Sequence, residues 1–426
     1  MAARFRVLDW MVPLAVSATL AIVAGGARGQ SLEEGWSQLD RPSSTAHGRF
    51  LNMLKGEKYN SEDKEQARAV DLVAKRHTYG IYLNHEKMMQ PGEIEKTMKE
   101  FDGYIQSIVN SREREREVLQ PLSDAFRDKV RLHAREVIEY KSARPVHKIH
   151  NARLLAKVAV LGQPELADTL IALVKEPSQN DGVRYHSFRA LTTLLSQVQA
   201  GTSNSLLNKE QQAKCAEMLV DFLEQRKGPP KTAPIEEING FRILRREAIR
   251  ALAQIHTPAI NDKVRPALVL ARFAGDDERI QPPPRIDERV EASIGLARMR
   301  PDKDRLYRPD YAAGQIVKCL GAFGQMANSD RARKEVAATR PWRIEATLLK
   351  ESLETLKAES GSDKYVAQVV DRAGQLLTDV VNGRDFSKDL TWWTSPENEP
   401  TSKELFQGSA DSTVKPSERG VGESGK

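Results

Sequence analysis

Cysteine is nearly absent from this chain of 426 residues, and aromatic residues are scarce. Its two cysteines, Cys215 and Cys319, are too few for the disulfide framework on which many small secreted folds depend. No Cys-x-x-Cys pair, Walker A sequence, Gly-x-Ser-x-Gly sequence or dinucleotide-binding fingerprint occurs. Aromatic residues make up 6% of the chain, and alternation of β-branched residues is rare. We therefore expect no cofactor, no enzymatic activity and little β-structure.

The chain also lacks a large excess of charge of one sign. Its 65 basic and 59 acidic residues are interspersed and give a formal net charge of +6. This balance is typical of solvated helix surfaces and is weak support for nucleic-acid binding. Hydrophobic residues make up 40% of the chain and charged residues 29%. The composition suits a soluble, helix-rich protein and predicts the all-α class.

What the sequence does contain is one spacing that occurs three times. Arg184, Arg245 and Arg289 are each followed by a small residue three positions on, a small residue and a leucine at six and seven, and a bulky apolar residue at ten. The stretches concerned are Val183–Leu194, Leu244–Ile255 and, more loosely matched, Arg289–Met299. On a helix these positions share one face, and the small residues allow a neighbouring helix to approach closely.

This arrangement resembles the second helix of HEAT repeats over about residues 145–360. The resemblance implies a right-handed α-solenoid of helix pairs, an extended superhelix that binds partner proteins. The repeats differ in length, because proline-rich insertions at residues 228–234 and 281–284 interrupt them. With its N-terminal export signal, the chain also resembles predicted exported bacterial HEAT-repeat proteins of unassigned activity. The resemblance carries over no catalytic residue.

The N-terminus predicts export. Arg4 and Arg6 precede an uncharged, mostly apolar run from Trp10 to Gly26, and small residues at Ala27 and Gly29 suit cleavage by a signal peptidase. The run is shorter than a full membrane span, so residues 1–29 are predicted to be a cleaved signal peptide, with an uncleaved N-terminal membrane anchor as the alternative. Either reading predicts a periplasmic, cell-envelope or extracellular location.

Composition and periodicity divide the remaining chain into four parts. Residues 30–60 are polar and turn-rich and are predicted to be a linker. An N-terminal helical segment, residues 61–144, and the HEAT-like solenoid, residues 145–382, follow. Residues 383–426 are rich in Ser, Glu, Pro, Gly and Lys and are predicted to be a largely disordered tail.

Two groups of basic residues are candidates for partner binding. Arg184, Arg245 and Arg289 recur at one repeat position, where they either hold loop carbonyls and acidic residues of neighbouring repeats or form a ladder of cations for an acidic partner. Residues 127–153 contain eight Lys or Arg residues against three acidic ones. Within this basic stretch the candidates are Arg131, Arg135, Lys141 and Arg144.

Other candidates have simpler explanations. His147 and His150 are three positions apart, but no carboxylate is patterned beside them, so a basic surface is favoured over a metal site. Trp392 and Trp393 are predicted to cap the last helix rather than to stack on a sugar. The cysteines are predicted to be reduced thiols in the core.

The predicted function is therefore a non-enzymatic scaffold or adaptor of the cell envelope that binds other proteins. A helix pair with small residues along one face cannot bury that face alone, so pairs must stack and leave a long groove for a peptide or helix. The alternative is a binder of an anionic polymer (nucleic acid, acidic glycan or membrane headgroups) through residues 127–153.

Overall fold

Apolar residues recur every three or four positions through most of the chain, and the segments with this spacing form helices. The computed structural model describes residues 44–111, 113–162, 164–199, 207–301, 307–332, 342–384, 390–395 and 398–407. Within these ranges the fold is all-α, as predicted, with 17 α-helices and no β-strand. An isolated antiparallel bridge joins Tyr307 to Phe406. The predicted signal peptide, residues 1–29, lies outside the described residues.

The helices up to residue 139 build the N-terminal part of the molecule. They are α1 (Ser44–Leu54), α2 (Lys64–Thr78), α3 (Gly80–Leu83), α4 (His85–Met88), α5 (Glu93–Val109) and α6 (Glu113–Glu139). Helix α2 begins where the Asp63 side chain accepts hydrogen bonds from the backbone N–H groups of Glu65 and Gln66. Helix α6 packs against α2 on one side and α7 on the other.

The helices that follow residue 144 carry the repeated spacing. They are α7 (Pro145–Val158), α8 (Pro164–Lys175), α9 (Asp181–Gln199), α10 (Lys209–Gln225), α11 (Ile235–Leu252), α12 (Pro266–Ala274), α13 (Ile286–Ala297), α14 (Pro309–Ala332), α15 (Trp342–Glu359), α16 (Lys364–Asn382) and α17 (Leu390–Thr394). A short 3-10 helix, Ala159–Leu161, extends α7. Pro266 stands in the first turn of α12, the one place in a helix where proline loses no hydrogen bond.

Alternate helices of this second part contact one another in chain order. Helices α7, α9, α11, α13 and α15 form one series of neighbours, and α8, α10, α12, α14 and α16 form another. The three helices with the shared spacing, α9, α11 and α13, are consecutive members of the first series. The small and apolar residues of that spacing are all buried, as are the three arginines. The spacing therefore marks the surface on which neighbouring helices meet.

A large apolar core runs through the described residues from Phe50 to Phe406, and a small separate cluster contains Tyr79, Val137 and Ala143. The prediction of a linker over residues 30–60 is wrong for Ser44–Leu54, because Phe50 and Met53 of α1 are fully buried in the large core. Residues 30–43 lie outside the described residues. Helix α1 has only about three turns and follows a stretch rich in turn-forming residues. Its apolar pattern was therefore too short to distinguish it from a linker. Cys215 and Cys319 are both buried and free, which confirms the predicted core thiols, and burial raises the pKa of Cys215 to about 12.

The prediction of a largely disordered tail is wrong for residues 390–395 and 398–407, and residues 408–426 lie outside the described residues. Helix α17 packs on α14, where a Cβ at Gly324 would lie 2.6 Å from Leu390 Cδ2 and one at Gly321 would lie 3.2 Å from the Trp393 carbonyl oxygen. Trp393 is 5% exposed, in agreement with a capping role.

Residues 398–407 then return across the start of α14. Asn398 accepts a hydrogen bond from the Tyr365 hydroxyl (2.8 Å), and the backbone N–H of Ser402 donates to Asp310 (2.9 Å). Leu405 and Phe406 are buried at the end of this segment. Among the described helices, none is long and apolar enough to cross a membrane.

Candidate functional site: a basic pocket between two insertions

The three repeat arginines are buried and hydrogen-bonded inside the protein. Arg184 is 7% exposed and binds the carbonyl oxygens of Val174, Glu176, Pro177 and Gln179 in the α8–α9 connection, together with the carboxylate of Asp181. Arg289 donates to the carbonyl oxygens of Ala274 and Lys318 and to Asp276. These bonds agree with the first of the two predicted roles, in which the arginines hold carbonyl and carboxylate groups of the protein itself. Because the guanidinium groups are buried, they do not form a row of exposed cations for an acidic partner.

Arg245 forms the most buried ion pair among the described residues. Its Nε and Nη2 atoms lie 2.6 and 3.1 Å from the two carboxylate oxygens of Glu288, and Nη1 donates to the Pro282 carbonyl (2.9 Å). Glu288 is completely buried and also accepts the Arg285 backbone N–H at the start of α13. The pair joins α11 to the second proline-rich insertion and to α13.

The basic stretch 127–153 is largely neutralised by acidic neighbours. Arg131 pairs with Asp128, Arg135 with Glu139, and Arg153 with Glu95. Arg127 is buried, where it binds Asp124 and the carbonyls of Leu161 and Gly162. Of the other candidates, Arg144 is exposed and contacts His85, and Lys141 is exposed without a described polar contact. The eight cations therefore do not make one uncompensated surface.

The two proline-rich insertions meet and enclose a pocket of about 500 Å³. At their closest approach, a Cβ on Gly228 would lie 2.6 Å from Pro282 Cδ and 2.7 Å from the Gln281 carbonyl oxygen. Only glycine fits there, so the first insertion can pass directly over the second. We call this opening the insertion pocket. It is lined by residues 223–231, Phe241, Arg245, Val269, Arg272, Phe273, Asp277 and residues 279–282.

The lining of the insertion pocket is strongly basic. It contains six cations, Arg226, Lys227, Lys231, Arg245, Arg272 and Arg279, but only two carboxylates, Glu224 and Asp277. The arginines are held by acidic partners: Arg226 by Asp181, Arg245 by Glu288, Arg272 by Glu224 and Arg279 by Asp277. Lys227 and Lys231 are exposed and have no hydrogen bond or ion pair to another described residue. Their ammonium groups are therefore available to an anion.

The inner wall of the insertion pocket is apolar and aromatic. Leu223, Phe241, Val269 and Phe273 are buried and belong to the lining. The guanidinium of Arg245 lies over the rings of Phe241 and Phe273, 5.4 and 5.3 Å from their centroids. Stacking of this kind fixes the rings and the cation together. A ligand in the pocket would meet an apolar wall below and lysine ammonium groups at the rim.

Histidines cluster in the N-terminal part without forming an evident metal site. His147 and His150, the pair considered from sequence, are both buried, and His147 Nε2 lies 3.0 Å from His85 Nδ1. His133 is held between Asp71 (2.9 Å from Nε2) and Tyr79 (2.8 Å from Nδ1). Across the described residues, no group of three or more His, Cys, Asp or Glu side chains is arranged to hold a metal ion.

Sequence reasoning found Arg245 and both insertions but not the pocket that they form. Lys227 immediately precedes the first insertion and Lys231 lies inside it, but neither was selected, because an exposed lysine in a loop has no distinctive local pattern. The signal that could have found them is that the two proline-rich insertions flank the same copy of the shared spacing, Leu244–Ile255, on its two sides in sequence. No protein-family model, curated protein or solved structure matches this chain.

Proposed function

We propose that the protein is a non-enzymatic scaffold that binds an acidic segment of a partner protein in the insertion pocket. The observation that carries the proposal is the excess of cations over an apolar wall, with Lys227 and Lys231 unpaired at the rim. Acidic side chains of the partner would pair with the two lysines, and a bulky apolar side chain would cover Phe241. Apolar pockets with a few placed charges are the usual form of a specific binding site.

The architecture supports a scaffold as well. We propose that the two series of contacting helices are the layers of a right-handed, HEAT-like α-solenoid, in which α9, α11 and α13 are the second helices of their pairs. In such repeats each unit packs on its neighbours, and insertions gather on one face that is commonly the binding face. The meeting of both proline-rich insertions at one pocket agrees with that arrangement. The location in the cell envelope or outside the cell remains a prediction from residues 1–29.

Binding of an anionic polymer through residues 127–153 is the weaker candidate. Polymer binding depends on several uncompensated cations, because its free energy comes mainly from counterion release. Five basic residues of this stretch, Arg127, Lys129, Arg131, Arg135 and Arg153, pair with carboxylates of the protein itself. A polymer would have to break those ion pairs, and the cost would offset much of the free energy gained from counterion release.

A fluorescence anisotropy titration tests the proposed site. The probe is a labelled hexapeptide with a Trp-Leu centre flanked by two glutamates on each side. We expect it to bind the intact chain, and the double variant Lys227→Glu, Lys231→Glu to lower the affinity about tenfold, which corresponds to about 1.4 kcal/mol. Both lysines are exposed, so the variant should fold normally, as circular dichroism would show.

The matched control reverses two unpaired cations of the basic stretch, Lys141→Glu with Lys148→Glu, and should leave peptide binding unchanged. A hexapeptide with lysines in place of the glutamates should not bind. The proposal fails if the two double variants affect the acidic peptide equally. If the chain instead binds heparin with a steep salt dependence that is lost in the Lys141 and Lys148 variant, the anionic-polymer alternative is correct.

A further inference from the structure

A second opening lies on the other side of the 281–285 segment. Gln281 and Pro282 line the insertion pocket, whereas Pro284 and Arg285 line this one, and the adjacent residues Arg245 and Arg246 of α11 are divided in the same way. We call it the α15 pocket, with a volume of about 490 Å³. Its lining consists of Arg246, Pro284, Arg285, Ile286, Asp287, Arg289, Ala322, Met326, Trp342 and Glu345.

The arginines that line the α15 pocket are already engaged by the protein. Asp287 accepts from Arg285, with one contact of 3.1 Å, and from Arg246 at 3.0 Å. Arg246 also lies 3.5 Å from Glu247, and Arg289 is bound by Ala274, Lys318 and Asp276 as described above. These three positive charges are therefore balanced by bonds within the structure.

Glu345 is different, because its carboxyl group has no hydrogen bond or ion pair to another described residue. It belongs to the first turn of α15, is partly buried, and lies at the wall of the pocket. Burial and the nearby carboxylates Asp287 and Glu291 of α13 raise the pKa of Glu345 to about 7, although Arg246 and Arg250 of α11 oppose the shift. The local potential at this carboxyl thus favours an added positive charge.

One side of the α15 pocket beside Glu345 is apolar. Trp342 is 5% exposed, its ring packs edge-on against Phe323 at a centroid distance of 5.0 Å, and its indole N–H donates to Asp330 (3.1 Å). Met326 and Ile286 complete the apolar surface. A carboxyl group without a partner beside a fixed aromatic wall suits a ligand with a cationic head and a flat apolar body.

We propose that the α15 pocket binds an organic cation, an amine or amidine on a small apolar body, through an ion pair with Glu345. The ligand's charge would take the place of the missing internal partner, and its apolar part would lie against Trp342 and Met326. This site is separate from the insertion pocket and does not depend on the scaffold function proposed above. Its ligand has the opposite charge from the acidic segment proposed there.

Benzamidine and benzamide form a matched pair of probes, because they share shape and aromatic surface but only benzamidine is charged. We expect ligand-observed NMR titrations of the full chain to show binding of benzamidine and at least tenfold weaker binding of benzamide. Glu345 must lose its proton to pair with the cation. Between about pH 6 and pH 8 the affinity for benzamidine should therefore rise about tenfold, the change in ionised fraction for a group with a pKa near 7.

The variant Glu345→Gln keeps the size and polarity of the side chain but removes its charge. It should abolish both the preference for benzamidine over benzamide and the pH dependence. Glu354→Gln, an exposed residue on the same helix, is the control and should change neither. Benzamidine that binds no more tightly than benzamide overturns the proposal, and so does equal binding by wild type and Glu345→Gln.

Discussion

Arg184, Arg245 and Arg289 occupy the same position of the shared spacing, but their guanidinium groups have different hydrogen-bond partners. Arg184 binds mainly backbone carbonyls of the connection before its own helix, whereas Arg245 binds a buried carboxylate from another helix. Arg289 combines both kinds of partner. Arginine suits this position because its long side chain carries five N–H donors, which can hydrogen-bond to the unpaired carbonyl oxygens at the ends of packed helices.

Removal of the Arg245 guanidinium should be severely destabilising. In Arg245→Met the completely buried Glu288 would lose its ion-pair partner, and breaking such a buried pair costs about 3–5 kcal/mol. The free energy of unfolding from urea denaturation measures this loss. Arg153→Met breaks an ion pair with Glu95 whose side chains are 37% and 68% exposed, and it should cost less than about 1 kcal/mol. Similar losses in both variants would contradict the assigned role of Arg245.

Some glycines lie where two helices approach each other closely, and others have open space around them. Gly295 of α13 faces the end of α11, and a Cβ there would lie 2.5 Å from Ala253 Cβ and 2.7 Å from its Cα atom. This position is the second small residue of the shared spacing. A small residue is therefore needed there because two helices approach each other closely. Gly240 of α11 is also helical, but a Cβ on it would meet nothing within 4 Å.

These two glycines predict opposite effects of the same substitution. Gly295→Ala must push two helix backbones apart, so we expect it to lower the free energy of unfolding by about 1–3 kcal/mol despite the better helix propensity of alanine. Gly240→Ala gains the helix propensity of alanine without a steric clash, so it should raise the free energy of unfolding by about 0.5–1 kcal/mol. Thermal and urea denaturation of both variants would measure the signs. A stable Gly295→Ala protein would show that α11 and α13 do not pack as closely as described.

Histidine is distributed unevenly along the chain. Six of the eight histidines precede residue 151. His77 is fully buried with both ring nitrogens unpartnered, and burial, with Arg76 and His150 nearby, lowers its pKa to about 3. Burial also lowers the pKa of His150 to about 4. His133 has the opposite behaviour: burial favours its neutral form, but hydrogen bonds to Asp71 and Glu136 prevail and raise its pKa.

Acid should therefore destabilise the helices around His77 and His150 more than α14 and α16, which contain no histidine. The pKa values of His77 and His150 are lower in the folded than in the unfolded chain, so their contribution to stability is complete above about pH 6.5. It falls as the pH falls, down to about 4 for His150 and about 3 for His77. At pH 5 the two groups together remove about 4 kcal/mol, and His133, whose folded pKa is raised, offsets part of this loss.

Hydrogen exchange, corrected for the intrinsic pH dependence of the exchange rate, would locate the loss. We expect amides of α2, α5 and α7 to lose protection between pH 7 and pH 5, while those of α14 and α16 keep theirs, because stacked helices unfold locally. The variant His77→Leu should reduce the effect. Uniform loss of protection along the chain would contradict this account.

Much of the fold and some of the site followed from the sequence. Periodicity predicted the helical class, and the positions of the shared spacing are all buried, because helix geometry places such residues on one face whatever surrounds them. The burial of Cys215 was predicted from the same periodicity. The capping role of Trp393 was predicted from the need of terminal repeats for an atypical end, and the structure shows that Trp393 is buried. The repeat arginines and the two insertions were identified as well, but not the pocket that they form.

The tertiary structure decided what depends on distances between remote segments. It brought Gly228 to Gln281 and Pro282, and it paired Lys129 and Arg153 with carboxylates from other helices. It also packed α1, Trp393, Leu405 and Phe406 on the core. It also left Lys227, Lys231 and Glu345 without a hydrogen bond or ion pair to another described residue. Local spacing determines which face of a helix is apolar, but the charge that a side chain meets there is set by chain segments far away in sequence.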